Sequence, residues 1–173
     1  MKLYKYILIL TLSISLLNSC KKDDEVEKTE TPEVAVKIGA LAPEFNLADT
    51  KGNFHQLSDF RGDYVVIDFW AAWCGICRKE NPKMQALHEK YKDKGLKIMG
   101  ISLDETKGAW EQAISDDQLT YLHFGDQDAF KSEVAITYGV TGIPLMLLLN
   151  PEGKILTITN KVDNIEAQVE KVY

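Results

Sequence analysis

Runs of strand length that alternate with helical patterning predict an α/β sandwich around a central mixed sheet. Three observations carry this expectation. Tyr64 to Phe69 is an almost wholly apolar run, and Leu145 to Leu149 is entirely so; both read as buried strands. Between them, Met84, Leu87, His88 and Tyr91 recur at helical spacing and give one face. Turn-forming clusters at 49–53, 139–144 and 151–154 punctuate the chain. At 173 residues, 45% apolar and 27% charged, it has room for one globular domain with appendages.

The first appendage is the N-terminus. Met1 to Lys5 is basic, and Ile7 to Leu17 is apolar apart from small polar residues. Spanning a bilayer takes about twenty apolar residues, so this run instead fits the hydrophobic region of an export signal over residues 1–19. Leu17-Asn18-Ser19-Cys20 resembles a bacterial lipobox, which implies lipidation of Cys20 after cleavage. An ordinary signal with a chance cysteine is the alternative. An odd cysteine in an exported protein is a liability that lipidation removes, which favours the lipoprotein reading. Residues 20–36 then form a lipidated cysteine and an acidic tether, because high charge without aromatics cannot bury enough surface to order itself. Sixteen such residues reach roughly 20–25 Å. Lys22-Asp23-Asp24-Glu25 resembles an acidic surface-export signal and reads equally well as a solvated charge run.

The domain proper is expected over residues 37–173. Ala42 to Leu47 alternates, Asp49 to Asn53 turns, and Phe54 to Leu57 alternates again, predicting an N-terminal β-hairpin. After the strand ending at Phe69 and the helix from Cys77 onward, Pro82 should kink or restart that helix. Gly95 should end it, and Leu96 to Leu103 is the next strand. A helical segment at 109–114, an extended piece at 121–124 and a helix from Ala129 to Tyr138 follow. Beyond Leu149, Ile155 to Thr159 returns as a strand, and Asp163-Asn164-Ile165-Glu166 fits a capping box with Asp163 as N-cap of the last helix. No internal repeat is visible.

The chemistry lies where the first buried strand meets the first helix, at Cys74-Gly75-Ile76-Cys77. Two cysteines at this spacing close a small disulfide ring at a helix N-terminus, whose partial positive charge favours thiolate over thiol. Cys74 is thus the nucleophile, and Cys77, one turn in, the less exposed resolving thiol. Cys74 attacks a partner disulfide, and Cys77 then attacks Cys74 and releases the reduced partner. An inert bond explains less, since a two-residue loop adds little stability. A zinc site needs two further paired ligands, and His55, His88 and His123 are scattered singly. A copper-chaperone site would want wider cysteine spacing. No metal, haem or nucleotide motif appears, so no cofactor is expected. Asp68 is the one acid in its apolar strand; burial should raise its pKa and suit it to exchange the proton of Cys77.

Asp68-Phe-Trp-Ala-x-Trp-Cys-Gly-x-Cys77 resembles the signature of the thioredoxin superfamily, and residues 42–63 resemble its redoxin and TlpA/ResA branches. The resemblance covers about residues 37–173 and implies a thioredoxin fold with the hairpin as an extension. Ile76 departs from it, since most relatives carry Pro there. Thioredoxins have a buried Asp at the position of Asp68, whereas the TlpA/ResA branch often has an amide or apolar residue. Glu80 matches a glutamate near the active site of ResA-like relatives, which implies a catalytic role; a solvated helix face is the alternative. Ile143-Pro144 resembles the cis-proline loop that lies against the disulfide and exposes the backbone of residue 143 to a substrate. Trp73, Gly75, Ile76, Ile143 and Pro144 are therefore the substrate-binding candidates. Leu145 replaces the usual Thr and makes this wall more apolar. Neither His nor Arg lies between the cysteines, which argues against a strong oxidant. Trp70, Trp110, Phe60, Phe69 and Tyr138 read as packing, and Trp73 as exposed beside the sulfur.

TlpA/ResA-like relatives reduce disulfides outside the cytoplasm, apocytochrome c among them, and draw electrons from a membrane thiol reductase. The resemblance thus implies a thiol-disulfide oxidoreductase of the cell envelope, monomeric, acting on exported protein disulfides. A peroxiredoxin-like peroxidase would need Thr three residues before its cysteine, where this chain has Ala71. A non-catalytic binding module would not need Cys74, Cys77, Asp68 and Pro144 together. Loss of residues 1–19 removes Lys2 and Lys5 and no acid, leaving 18 of 20 basic residues against 26 acidic ones, a net −8. That balance excludes nucleic acid as a partner and leaves lipid, not a basic patch, as the membrane anchor.

Overall fold

The computed structural model describes residues 32–173. The export signal, Cys20 and the tether as far as residue 31 lie outside the described residues. β3 (Val65–Trp70) is buried along its whole length and takes the centre of a five-stranded sheet ordered β5-β4-β3-β6-β7. It pairs in parallel with β4 (Lys97–Ser102) and antiparallel with β6 (Leu145–Leu149). β4 carries β5 (Leu122–Phe124) in parallel, and β6 carries β7 (Ile155–Thr159) antiparallel. Parallel neighbours need a crossover connection, usually a helix; α1 (Gly75–Tyr91) and α2 (Lys107–Asp116) provide the two that are needed.

Alternation along β3 builds a core on each side of the sheet. Val66 and Trp70 pack with Met84, Leu87 and Tyr91 of α1, Trp110 of α2, and Ile165 and Val169 of α4 (Val162–Val169). Val65, Ile67 and Phe69 pack on the other face with Leu57, Phe124, Val134 of α3 (Glu133–Thr137) and Tyr138. A separate antiparallel hairpin, β1 (Asn46–Ala48) with β2 (Phe54–Gln56), completes the domain. This is the mixed sheet, flanking helices and N-terminal hairpin that the sequence predicts, and Trp70, Trp110, Phe69 and Tyr138 are buried as expected.

Four local expectations change. α1 runs through Pro82 without a break; its buried flank outweighs the one hydrogen bond that the imino acid removes. The helix expected over 129–138 splits into a 3-10 turn (Ala129–Lys131) and α3, because Ser132 is extended at φ −50°, ψ 134° and its hydroxyl donates to Asp126 Oδ2 at 2.6 Å. Lys161, not Asp163, is the N-cap of α4, and no side chain of its own caps that helix. Asp163 sits one residue inside and instead accepts from Lys83 Nζ at 2.9 Å. Residues 33–36, assigned to the tether by composition, are partly held by the domain: Leu41 N–H donates to Glu33 O at 2.9 Å and Ala35 N–H to Leu41 O at 3.0 Å.

Candidate active site

β3 delivers the chain to Ala71-Ala72-Trp73, and Cys74 becomes the N-cap of α1. Its backbone is extended at φ −81°, ψ 96°, so Sγ turns back over the first helical turn and accepts from Cys77 N–H at 3.1 Å. Cys74 and Cys77 form a disulfide with Cα atoms 5.2 Å apart. Cys74 retains 6% of its surface and Cys77 1%, so the order of access is the expected one, although Cys74 is more covered than a freely exposed nucleophile. The cover comes from the loop before β6. The Ile143–Pro144 peptide is cis, and Ile143 O lies 3.9 Å from Cys74 Sγ.

Around the sulfurs the surface is apolar on top and charged to one side. Trp73 is 60% exposed and Ile76 64%. A Cβ on Gly75 would meet nothing within 4 Å, so the approach over the helix start is open. Phe130 lies beside Trp73, with ring centroids 6.2 Å apart. A groove of about 630 Å³ runs from Ile76, Ile143 and Pro144 past Glu80 and Lys83 to Lys161. Leu145 is half-buried behind Pro144 and packs into the core cluster on the α3 side of the sheet.

Asp68 projects from the middle of β3 and is 2% exposed. Burial, with a smaller push from the charge of Glu80, raises its pKa from 3.8 to about 7. Glu80 is not a solvated surface acid. Its Oε2 accepts from Val162 N–H at 3.0 Å, capping the start of α4 from α1, and Lys83 Nζ is 3.4 Å from Oε1. The structure therefore gathers Cys74, Cys77, Ile143 and Pro144 at the disulfide, with Trp73, Gly75 and Ile76 on its rim. Asp68 is buried in the middle of β3, whose end leads into the site, and Glu80 joins α1 to α4.

Sequence reasoning missed a polar clamp behind the site. Asp104, 2% exposed just after β4, accepts Ala72 N–H with both oxygens at 2.9 and 3.1 Å and the Ser102 hydroxyl at 2.9 Å. Arg78 reaches Ala72 O at 3.4 Å and forks onto Asp117 at 2.5 and 2.7 Å. Buried Asn81 donates to the same carboxylate at 2.6 Å. Burial opposes the charge of Asp117, but Arg78 and Asn81 still hold its pKa below the ordinary value. The residue two before Cys74 is thus gripped at its N–H and its C=O. An acid closing a parallel strand at its carboxyl end was the available signal for Asp104; nothing local announced the Arg78–Asp117 pair.

Among the described residues no cluster of three or more His, Cys, Asp or Glu could hold a metal ion. His55 pairs with Asp49 at 3.4 Å, His123 is buried, and His88 is partly exposed. Among the same residues no helix is long and apolar enough to cross a membrane.

The AhpC/TSA family model matches residues 38–158. Thiol-disulfide oxidoreductase ResA of Geobacillus kaustophilus is 34% identical over 145 residues, 82% of each chain. Its namesake in Bacillus thuringiensis subsp. konkukian is 36% identical over 126 residues, 73% of this chain and 71% of the relative. Among solved structures, the thioredoxin domain of a thiol-disulfide oxidoreductase from Bacteroides vulgatus superposes with a TM-score of 0.73 at 37% identity, covering 79% of this chain and 97% of that one. The disulfide at the start of α1 is the reactive centre such enzymes require, and the chain accordingly belongs to the AhpC/TSA family, as a thioredoxin-fold thiol-disulfide oxidoreductase.

Proposed function

We propose that the Cys74–Cys77 dithiol works in the reducing direction on disulfides of exported proteins. The observation that carries this is the arrangement at one helix start: the more accessible sulfur lies 3.9 Å from the Ile143 carbonyl, beside an apolar rim and an open approach. Trp73, Gly75, Ile76, Ile143 and Pro144 bind the partner, which pairs as an extended segment along the Ile143 backbone. The Cys74 thiolate attacks one sulfur of the partner disulfide, forming a mixed disulfide and releasing the other partner sulfur as thiolate. Cys77 then gives its proton to Asp68 as its sulfur attacks Cys74 Sγ. The intramolecular bond forms, the mixed bond breaks, and the partner leaves with both sulfurs reduced. Glu80 acts by holding α4 in place and by keeping the proton affinity of Asp68 high.

The same reading places the domain at 37–173 on an acidic tether, 20–36, anchored by a lipid on Cys20 after removal of residues 1–19. It works as a monomer in the cell envelope, with exported disulfides, apocytochrome c among them, as substrates and a membrane thiol reductase as electron donor. Buried Ala71 stands where a thiol peroxidase would need a hydroxyl, so the reductase reading is favoured over the peroxidase and over a non-catalytic module. The test is insulin reduction by the pre-reduced protein. Wild type turns over with a dithiol feed, Cys74→Ser is inactive, and Cys77→Ser accumulates a mixed disulfide. Insulin reduction by the Cys74→Ser protein would overturn the assignment.

A further inference from the structure

Phe130 is an apolar side chain that the core does not use. It belongs to neither core cluster and keeps 38% of its surface. Its ring centroid stands 6.2 Å from that of Trp73, with the planes at 46°. Trp73 is itself 60% exposed, and neither residue lines the groove beside Ile143 and Pro144. Two tilted rings next to Cys74 therefore make a second apolar surface at the site, separate from the groove.

The backbone that presents Phe130 is strained. Among the described residues, the non-glycine positions with positive φ are Gln118, Gln127 and Ala129. Gln118 follows the end of α2, where chains commonly turn left-handed. Gln127 at 65° and Ala129 at 52° fall together just before Phe130. Such conformations persist only where the surroundings hold them, and they gather at functional sites. Here Asp126 does the holding: Oδ1 accepts Asp128 N–H at 3.1 Å, and Oδ2 accepts the hydroxyl of buried Ser132 at 2.6 Å. Lys131 N–H to Asp128 O at 2.9 Å and Ser132 N–H to Ala129 O at 3.2 Å close the turn. A relaxed connection from β5 to α3 would leave Phe130 free to turn inward; this one is tied so that its ring stands by Trp73.

Charge around the two rings has one dominant sign. Exposed Asp126, Asp128 and Glu133 flank Phe130 in the chain against a single cation, Lys131. Exposed Glu105 follows Asp104, whose carboxylate holds the N–H of Ala72, the residue before Trp73. The ion pairs among the described residues leave all four of these exposed acids out. An apolar surface set among unpaired acids fits an apolar side chain that has a basic neighbour.

We propose that Phe130 and Trp73 form a shelf that selects partner segments carrying an apolar side chain next to a lysine or arginine, close to the cysteine under attack. Phe130 is a specificity-determining residue: it touches the partner, and the bond exchange stays at Cys74. The shelf rests on the reading that Cys74 attacks partner disulfides beside Trp73.

The test uses the reduced protein and short peptides whose single cysteine carries thionitrobenzoate in a mixed disulfide. Leu-Lys, Ser-Lys, Leu-Glu or Ser-Glu is placed before or after that cysteine. The Cys74 thiolate attacks the peptide sulfur, the bond to thionitrobenzoate breaks, and thionitrobenzoate leaves as a coloured thiolate. Each rate is divided by that of N-acetylcysteine amide bearing the same leaving group, which cancels any change in the reactivity of Cys74. The shelf predicts that wild type prefers Leu-Lys. Phe130→Ala lowers that relative rate by roughly fivefold to tenfold, as expected for half-burying one apolar side chain, and changes Ser-Lys little. Phe130→Leu recovers most of the loss, and Phe54→Ala, at an exposed ring of the hairpin, behaves as wild type. Asp128→Asn reduces the preference for Lys over Glu by about twofold, and added salt does the same. A relative rate for Phe130→Ala equal to wild type, with Trp73→Ala lowered, overturns the shelf and leaves the Cys74 reading standing. Thionitrobenzoate release by Cys74→Ser overturns both. A wild-type dimer that Phe130→Ala dissolves, with no change in relative rates, gives the surface to a second copy of this chain and overturns the proposal.

Discussion

Cys74 and Cys77 differ in accessibility, 6% against 1%, and the chain sets that difference with backbone contacts. Cys74 is an N-cap whose sulfur is held over the helix start by the N–H of Cys77, and Ala72 is gripped on both sides by Asp104 and Arg78. Replacing Asp104 by Ala leaves a partly buried N–H without an acceptor, which costs about 2 kcal/mol. Urea unfolding of Asp104→Ala should show that loss, and alkylation of its Cys74 should slow because the 71–74 segment loses its tie to β4. Unchanged values for both would remove the clamp from the account. The Cys74–Cys77 bond, the burial of Asp68 and the cis bond before Pro144 were legible because their signals sit in a contiguous stretch or in a dipeptide. Asp104, Arg78, Asn81 and Asp117 were not, since each acquires its role from a partner more than thirty residues away.

Between elements, Glu80 is the point where site and scaffold share a side chain. Its carboxylate caps α4 through Val162 N–H and adds to the proton affinity of Asp68. These functions separate on substitution. Glu80→Gln keeps an oxygen for the cap and removes the charge, so Asp68 should titrate below its present value of about 7, with stability nearly unchanged. Glu80→Ala removes both and should cost a further 1 kcal/mol or so, the usual worth of a cap. Carboxyl infrared or NMR titration gives the first quantity and thermal unfolding the second; equal Asp68 midpoints in all three proteins would contradict the coupling. The capping-box expectation for Asp163 failed at this same junction. The pattern at 163–166 is genuine, but Lys83 takes the carboxylate and a distant helix supplies the cap. Likewise, Ser132 gives its hydroxyl to Asp126 and breaks the helix that periodicity alone extends from Ala129 to Tyr138.

Across the whole molecule, two buried groups on one sheet face pull stability in opposite directions with pH. Asp68 has its pKa raised from 3.8 to about 7, so the folded state holds its proton where the unfolded chain has lost it. Its contribution is full below pH 4 and is lost as pH rises toward 7. His123 is lowered from 6.5 to about 3, so the unfolded chain takes up a proton that the folded state refuses. Its contribution is full above pH 6.5 and is lost as pH falls toward 3. Shifts of this size are each worth on the order of 4–5 kcal/mol, so between about pH 4 and 6.5 the two slopes largely cancel. Urea midpoints should therefore be flat there for wild type, fall with acid for Asp68→Asn, and rise with acid for His123→Phe. Parallel pH profiles for wild type and Asp68→Asn would contradict this balance. Alternation of apolar runs and helical spacing was enough to read the α/β class, but not the row Asp68–Gly100–His123 across β3, β4 and β5, because strand order is set by packing across the sheet.

If this chain uses a reversible dithiol as a reductant, the redox potential of Cys74–Cys77 must lie in the reducing range. The domain from Pro32 onward is equilibrated with graded thiol–disulfide buffers while tryptophan fluorescence is followed, with exposed Trp73 beside the sulfurs as reporter. A single two-electron transition near the thioredoxin value, roughly −270 mV, is expected. A potential near the oxidising extreme, roughly −120 mV, or no reversible transition at all, would contradict it.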